Sequence, residues 1–275
     1  MKNNSKKILI TGGSGFLGSH VADAFSKAGY KVIIFDKKES SWIRKDQKFI
    51  KGDILDEKLV NKSLKGIYGV LHFAGASDID DSNKRPLETI KYNILGTSNI
   101  LEACVKSKVS RFIFASSIYV YSDHGGFYRS TKQSSELLIE NYHKLKKQNF
   151  TILRFGSLYG RRANKFNWIN NIIYQALKKN KMERHGSGDE IRDYIHVFDA
   201  AKACVSILDK KFQNKYVILK GTQTIKIKDL MKMINEIIDK KIQIKYLPKK
   251  DEEHYEITPY SFRPRTAIRY TENTH

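Results

Sequence analysis

The sequence predicts an α/β fold: a doubly wound parallel sheet followed by a smaller C-terminal lobe. Short apolar runs alternate with amphipathic stretches through the first half of the chain. A glycine-rich turn joins the first run to the first amphipathic stretch, and polar residues of chemical interest stand where apolar runs end. A parallel sheet gathers such strand-end residues along one edge, where ligands bind.

The elements follow in order. Residues 7–10 form an apolar run ending in Thr11-Gly12. Residues 19–28 carry Val21, Ala24 and Phe25 at helical spacing, and Gly29 closes that helix as a C-terminal cap. Residues 31–35 make a second buried strand ending at Asp36. Phe49-Ile50 leads to Gly52-Asp53, and residues 70–73 lead to Ala74-Gly75. Residues 87–106 and 128–147 read as long helices. Residues 111–115 read as a strand ending in Ser116-Ser117, and 151–154 as another. Beyond residue 160 the rhythm loosens, with helices expected over 168–179, 198–208 and 229–238 and strands over 191–197, 216–219 and 242–246.

Bulk properties exclude several classes. With 275 residues and 40% of them hydrophobic, the chain can bury a sizeable core. The net charge of +21 comes mostly from scattered lysines. That pattern fits a solvated surface better than a nucleic-acid footprint, so nucleic acid is not the expected partner. Cys104 and Cys204 cannot build a disulfide framework, which points to the cytoplasm. No run approaches the ~20 apolar residues of a membrane span, and the polar N-terminus carries no expected signal peptide. The eight histidines show no metal-ligand spacing, so no metal is expected.

The glycine turn reads Thr11-Gly12-x-x-Gly15-x-x-Gly18 between a strand and a helix. Glycines there permit a tight turn and close backbone approach, so a pyrophosphate can sit on the helix N-terminus. Asp36 closes the next strand, 18 residues after Gly18, where a carboxylate can bond a ribose 2′-hydroxyl. A turn with a purely structural role is the alternative. The full strand–turn–helix–strand–acid order instead marks a Rossmann-type unit. Asp36 favours NAD over NADP by repelling a 2′-phosphate, although Lys37 and Lys38 pull the other way.

A second constellation is Ser117 with Tyr128-x-x-x-Lys132. Spacing of four residues puts Tyr128 and Lys132 on one helix face. An ammonium near a phenol lowers the phenol's pKa, and such a phenol can trade a proton with a substrate hydroxyl while a nicotinamide exchanges hydride. Ser117 is placed to bond the same hydroxyl.

Further matches run through the chain: TGGSGFLGS at 11–19, Gly52-Asp53-Ile54, His72-Phe73-Ala74-Gly75, Asn93-Ile94-Leu95-Gly96-Thr97, Ser116-Ser117-Ile118-Tyr119-Val120-Tyr121, Leu158-Tyr159-Gly160 and Arg192-Asp193-Tyr194-Ile195-His196-Val197. On these residues the chain resembles the extended short-chain dehydrogenase/reductase superfamily, in its NAD-dependent nucleotide-sugar epimerase/dehydratase branch. The resemblance implies that Gly12, Gly15, Phe16, Leu17 and Gly18 hold the pyrophosphate. It implies that Asp53 and Ile54 flank adenine, Ala74 and Gly75 line the nicotinamide half, and Asn93 steadies the sheet beside the cofactor. Ser117, Tyr128 and Lys132 match the family's catalytic set, and Arg192 matches an arginine on the substrate diphosphate, a bidentate anion clamp. An ion pair of Arg192 with Asp193 or Asp199 is the alternative.

The departures bear on the reaction. Sugar 4,6-dehydratases of this branch carry an Asp-Glu pair where Ile118 and Tyr119 stand, and decarboxylases usually carry a glutamate at the second position. What remains is hydride and proton transfer. Only six residues separate Tyr121 from Tyr128, where the family usually has a longer loop over the sugar. Ser157 stands where sugar epimerases commonly have Asn. The cluster His254-Tyr255-x-x-Thr258-Pro259-Tyr260-x-Phe262 replaces the family's C-terminal arginine motif, as a substrate lid or a packed tail.

The expected organisation is an NAD-binding Rossmann domain over 1–160 and a substrate-binding lobe over 161–275 that partly returns to the sheet. The expected activity is NAD-dependent epimerisation of a nucleotide sugar through a 4-keto intermediate. Alternatives are an NAD(P)H-dependent nucleotide-sugar reductase or dehydrogenase, a 4,6-dehydratase, or a non-catalytic dinucleotide-binding protein. The long helices resemble those that form a homodimer in the family, with Leu137, Leu138 and Leu145 as apolar surplus.

Overall fold

A computed structural model describes residues 6–239, 241–248, 254, 256 and 267–270. The first strands and helices are β1 (Lys7–Thr11), α1 (Phe16–Lys27), β2 (Lys31–Asp36), β3 (Lys48–Lys51), α2 (Glu57–Ser63) and β4 (Gly69–His72). They continue with α3 (Ile79–Lys84), α4 (Pro86–Ile90), α5 (Gly96–Lys106), β5 (Arg111–Ser117), α6 (Gly126–Lys146) and β6 (Phe150–Phe155). Then come β7 (Ser157–Tyr159), α7 (Trp168–Lys179), β8 (Lys181–His185), β9 (Ile191–His196) and α8 (Val197–Ser206). The chain ends with β10 (Lys215–Leu219), β11 (Thr224–Lys226), α9 (Ile227–Ile238), β12 (Gln243–Leu247) and β13 (Ala267–Tyr270).

Eight strands form one sheet in the order β13-β10-β6-β5-β4-β1-β2-β3, every neighbour parallel. Successive side chains of a strand face opposite sides. Ile8 and Ile10 of β1 therefore pack with Val21, Phe25 and Cys204 from α1 and α8, while Leu9 packs with Leu64 and Ile100 on the other face. Phe112 and Phe114 of β5 are fully buried, so truncating either to Ala costs about 3–5 kcal/mol. The chain builds outward from β1 in one direction, then crosses to β4 on the other side. The gap between β1 and β4 is the switch point of the sheet, and both strands end there in functional sequence.

The remaining strands make a second body. β9 pairs with β7 and β11, and β8 pairs with β12. Ile172, Met182, Met231 and Ile234 form its core. Meanwhile α8 packs on α1, and β10 and β13 extend the main sheet.

The structure departs from the expected helix over 87–106. Lys91–Leu95 is a widened π-helical turn between α4 and α5. Such turns mark places where a side chain must be re-aimed. Here Asn93 turns onto the Ala76 backbone, and Gly96 packs where a Cβ would collide with Ile54. The other expected long helix starts at Gly126 rather than residue 128. It follows a turn through Gly125 and Gly126 at φ +102° and +48°, conformations that L side chains rarely adopt. That turn explains how so short a loop closes.

Candidate active site

A cleft of about 890 Å³ opens over the carboxyl ends of the central strands. Among the residues singled out from sequence, Gly12, Gly15, Phe16, Leu17, Gly18, Asp36, Ile54, Ala74, Gly75, Ser117, Tyr128, Lys132 and Arg192 line it together. Asp53 and Asn93 do not, although both stand against its wall.

The glycine loop is a built cradle. Gly12 has φ +69°, and a Cβ there would lie 2.6 Å from Ala74 N. A Cβ on Gly18 would collide with Gly12 O. No side chain caps the N-terminus of α1, and Ser14 Oγ is buried without a hydrogen-bond partner. An anion at this end would meet unsatisfied donors and the positive end of the helix. Asp36 accepts backbone N–H bonds from Ser14 at 3.1 Å and Lys38 at 3.2 Å, which fixes its carboxylate beside the loop. These residues fit a dinucleotide.

Lys37 is engaged elsewhere. It lies 3.1 Å from Asp53 and donates to Tyr92 Oη at 2.5 Å. Burial pushes the Asp53 carboxyl up, but the Leu55 N–H and Lys37 hold it below its ordinary range. The Asp53 expected to meet adenine is thus already bonded on its outer side.

A directed hydrogen-bond chain, not foreseen from sequence, runs beneath the cleft. The Ala74 N–H donates to Thr11 Oγ1 at 3.3 Å, and that hydroxyl donates to His72 Nδ1 at 2.6 Å. His72 Nε2 donates to Thr97 Oγ1 at 3.0 Å, which donates to Asn93 O at 2.6 Å. Burial, with Lys132 nearby, pushes the imidazole down to about 3, so His72 stays neutral and holds one tautomer.

Ser117 and Tyr128 line the cleft together, and Ser117 favours the ionised form of the phenol. Lys132 Nζ donates to Ala115 O at 2.8 Å and lies 5.7 Å from the Tyr128 ring centroid. The expected lowering of the phenol pKa is not found. Burial raises it, and only Ser117 opposes that. Burial also pushes Lys132 down to about 8, with Glu136 resisting. At neutral pH the pair is therefore a neutral phenol near an ammonium, and burial outweighs their attraction.

Below Lys132, Glu136 accepts from Ser116 Oγ at 2.5 Å and pairs with Arg154 at 2.5 Å. Arg154 also donates to Tyr121 Oη. The network ties α6 to β5 and β6 under the catalytic residues. Ser116, Tyr121 and Arg154 were read only as parts of motifs or strands, and Glu136 was not singled out, because the contacts span 18 to 33 positions.

Arg192 bonds the Ile191 and Glu256 carbonyls at 3.0 and 3.3 Å. The Asp193 carboxylate pairs instead with Lys220 at 3.0 Å. Arg184, which sequence reasoning missed, reaches the same cleft beside Trp168, paired with Glu190 at 2.8 Å. Of the tail cluster, His254 lines the cleft, while Tyr255, Thr258, Pro259, Tyr260 and Phe262 lie outside the described residues. Among the described residues, no group of three His, Cys, Asp or Glu side chains could hold a metal, and no helix is long and apolar enough to cross a membrane.

Known proteins share this architecture. A UDP-glucuronic acid 4-epimerase from Bacillus cereus, solved with UDP-glucuronic acid and NAD, superposes with a TM-score of 0.84 at 27% identity, covering 92% of this chain and 89% of that one. A putative UDP-glucose 4-epimerase from Methanocaldococcus jannaschii is 31% identical over 248 residues, covering 82% of this chain and 81% of its own length. A trifunctional UDP-glucose 4,6-dehydratase/UDP-4-keto-6-deoxy-D-glucose 3,5-epimerase/UDP-4-keto-L-rhamnose-reductase of Arabidopsis thaliana is 32% identical over 235 residues, 74% of this chain. This chain spans about a third of that enzyme's length. A profile of the NAD dependent epimerase/dehydratase family matches residues 8–218. The chain belongs to the NAD-dependent epimerase/dehydratase family, enzymes of the extended short-chain dehydrogenase/reductase type.

Proposed function

We propose that this protein is an NAD-dependent nucleotide-sugar 4-epimerase. The observation that carries the reading is the gathering of Ser117, Tyr128 and Lys132 in the cleft that also holds the glycine loop, Asp36 and Arg192. Gly12, Gly15 and Gly18 would hold the pyrophosphate, and Asp36 the adenosine ribose. NAD, when bound, supplies a hydride acceptor and donor for the sugar C4.

Tyr128, once its own proton has passed to solvent, takes the proton of the C4 hydroxyl as phenolate and later returns it. Ser117 orients that hydroxyl and then donates to the carbonyl oxygen. Lys132 keeps positive charge beside Tyr128 while the phenolate exists. Arg192 grips the diphosphate and serves as the pivot about which the keto sugar turns its other face. Ile118 and Tyr119 supply no carboxylate for dehydration, which supports epimerisation over 4,6-dehydration.

The domain division at residue 160 belongs to the same reading, with the body around α7, α9 and β8 holding the nucleotide sugar. Leu87, Leu137 and Leu145 are 81%, 54% and 71% exposed on the outer helices. We read that face as a homodimer contact, whereas Leu138 packs into the core. Sedimentation of the purified chain tests the dimer.

Mass spectrometry of the ligand released from freshly purified protein tests the function. Incubation with UDP-glucose, UDP-N-acetylglucosamine and UDP-glucuronic acid should follow. Co-released NAD and an isomer of equal mass are expected. Empty protein that needs added NADPH and gives a reduced product would identify a reductase.

A further inference from the structure

We propose that Tyr119 and His254 form a second proton-transfer pair, which exchanges the proton on the sugar carbon next to C4 while C4 is a ketone. The proposal rests on the 4-keto reading above. Its observation is a hydrogen bond of 2.7 Å between Tyr119 Oη and His254 Nδ1, joining residues 135 positions apart. Both side chains line the cleft that holds Ser117, Tyr128 and Lys132. The Tyr119 ring meets the Tyr128 ring edge-on, with centroids 6.3 Å apart, so the two phenols are neighbours on one wall.

The local fold sets the pair deliberately. Tyr119 sits in the 3₁₀ turn Ile118–Tyr121, whose first N–H bond is capped by Ser117 Oγ. Gly125 lies against the Tyr119 ring, and a Cβ there would come within 2.7 Å of Cδ1. The glycine therefore leaves room for the phenol in this position. His254 reaches it from the far end of the chain, with its ring 6.1 Å from that of Tyr119 and at 69° to it. A phenol bonded to an imidazole is an acid–base couple, as one group gives a proton while the other takes one.

The chemistry needs nothing further. A C–H bond beside a carbonyl is acidic because its electron pair can move into an enolate. The C–H bond breaks, and the pair becomes the new C=C bond as the carbonyl π electrons move onto oxygen. The proton goes to Tyr119 Oη while the phenol's own proton passes to His254 Nδ1. Ser117 and Tyr128 hold the enolate oxygen. The reverse relay returns a proton to the carbon, and exchange of His254 with solvent makes that proton a solvent one. No oxidant, reductant or additional reactant enters the balance.

The test is turnover of UDP-glucose, UDP-N-acetylglucosamine and UDP-glucuronic acid in D₂O, followed by mass spectrometry and NMR. Hydride transfer at C4 alone leaves the carbon-bound hydrogens free of solvent deuterium. The expected result is a deuteron at a carbon adjacent to C4 in the isomer formed. Tyr119→Phe and His254→Gln should each lower deuterium per isomer formed by at least about tenfold. The two lie on separate segments, so a folding failure in one leaves the other as the probe. Isomer free of deuterium overturns this inference and leaves the 4-epimerase reading standing. Deuterium undiminished in both variants overturns the assignment to this pair. No isomer from any of the three sugars overturns both readings.

Discussion

Asn93 Oδ1 accepts the Ala76 N–H at 2.7 Å, and Asn93 Nδ2 returns a bond to Ala76 O at 3.0 Å. Nδ2 also donates to Thr131 Oγ1 at 3.0 Å, one residue before Lys132. A single buried carboxamide thus fastens the loop after β4 to the helix that carries the acid–base residues. Asn93→Ala removes three bonds and strands polar groups, at a cost of about 2–4 kcal/mol. Thermal denaturation should show a fall of several degrees, and the purified variant should retain less NAD.

Tyr128→Phe keeps the ring and removes the proton-carrying oxygen. Turnover of the nucleotide sugar should fall by about 10²–10⁴ with NAD content little changed. Ser117→Ala should lower kcat with a smaller effect on NAD. Undiminished turnover in Tyr128→Phe would remove that residue from the mechanism.

Lys132 gives a pH-dependent stability. Its folded value of about 8 lies below the ordinary lysine value, so between those limits the unfolded chain binds more protons. Stability from this group therefore rises with pH through that window. The wild type should gain up to about 3 kcal/mol relative to Lys132→Met between pH 7 and pH 10. Denaturant titrations of both proteins at several pH values measure the difference directly.

Arg192 offers a planar fork that a lysine cannot copy. Arg192→Lys should raise KM for the nucleotide sugar about tenfold or more while leaving bound NAD in place. Steady-state kinetics, with NAD measured by mass spectrometry, separate the two effects.

Much of this site was legible because its signals are local. The glycine loop, Asp36, Ser117 and the Tyr128–Lys132 spacing each express a backbone or helix requirement within a few residues. β8 was not legible, since Lys-Met-Glu-Arg-His has no alternation and its pairing depends on β12, some 60 residues on. The phenol of Tyr128 was expected to titrate low on account of Lys132. Burial reversed that, and burial is a property of the assembled sheet and helices. Tyr119 with His254 and Glu136 with Arg154 meet only in the folded chain.

The central claim is reversible hydride transfer at C4 on a cofactor that stays bound. A nucleotide sugar carrying deuterium at C4 tests it most directly. With no cofactor added, the 4-epimer should form at unchanged mass and keep the deuterium at C4. A 4-keto product three mass units lighter, having lost the deuteron and the hydroxyl proton, or deuterium recovered on free nicotinamide cofactor, would contradict the account.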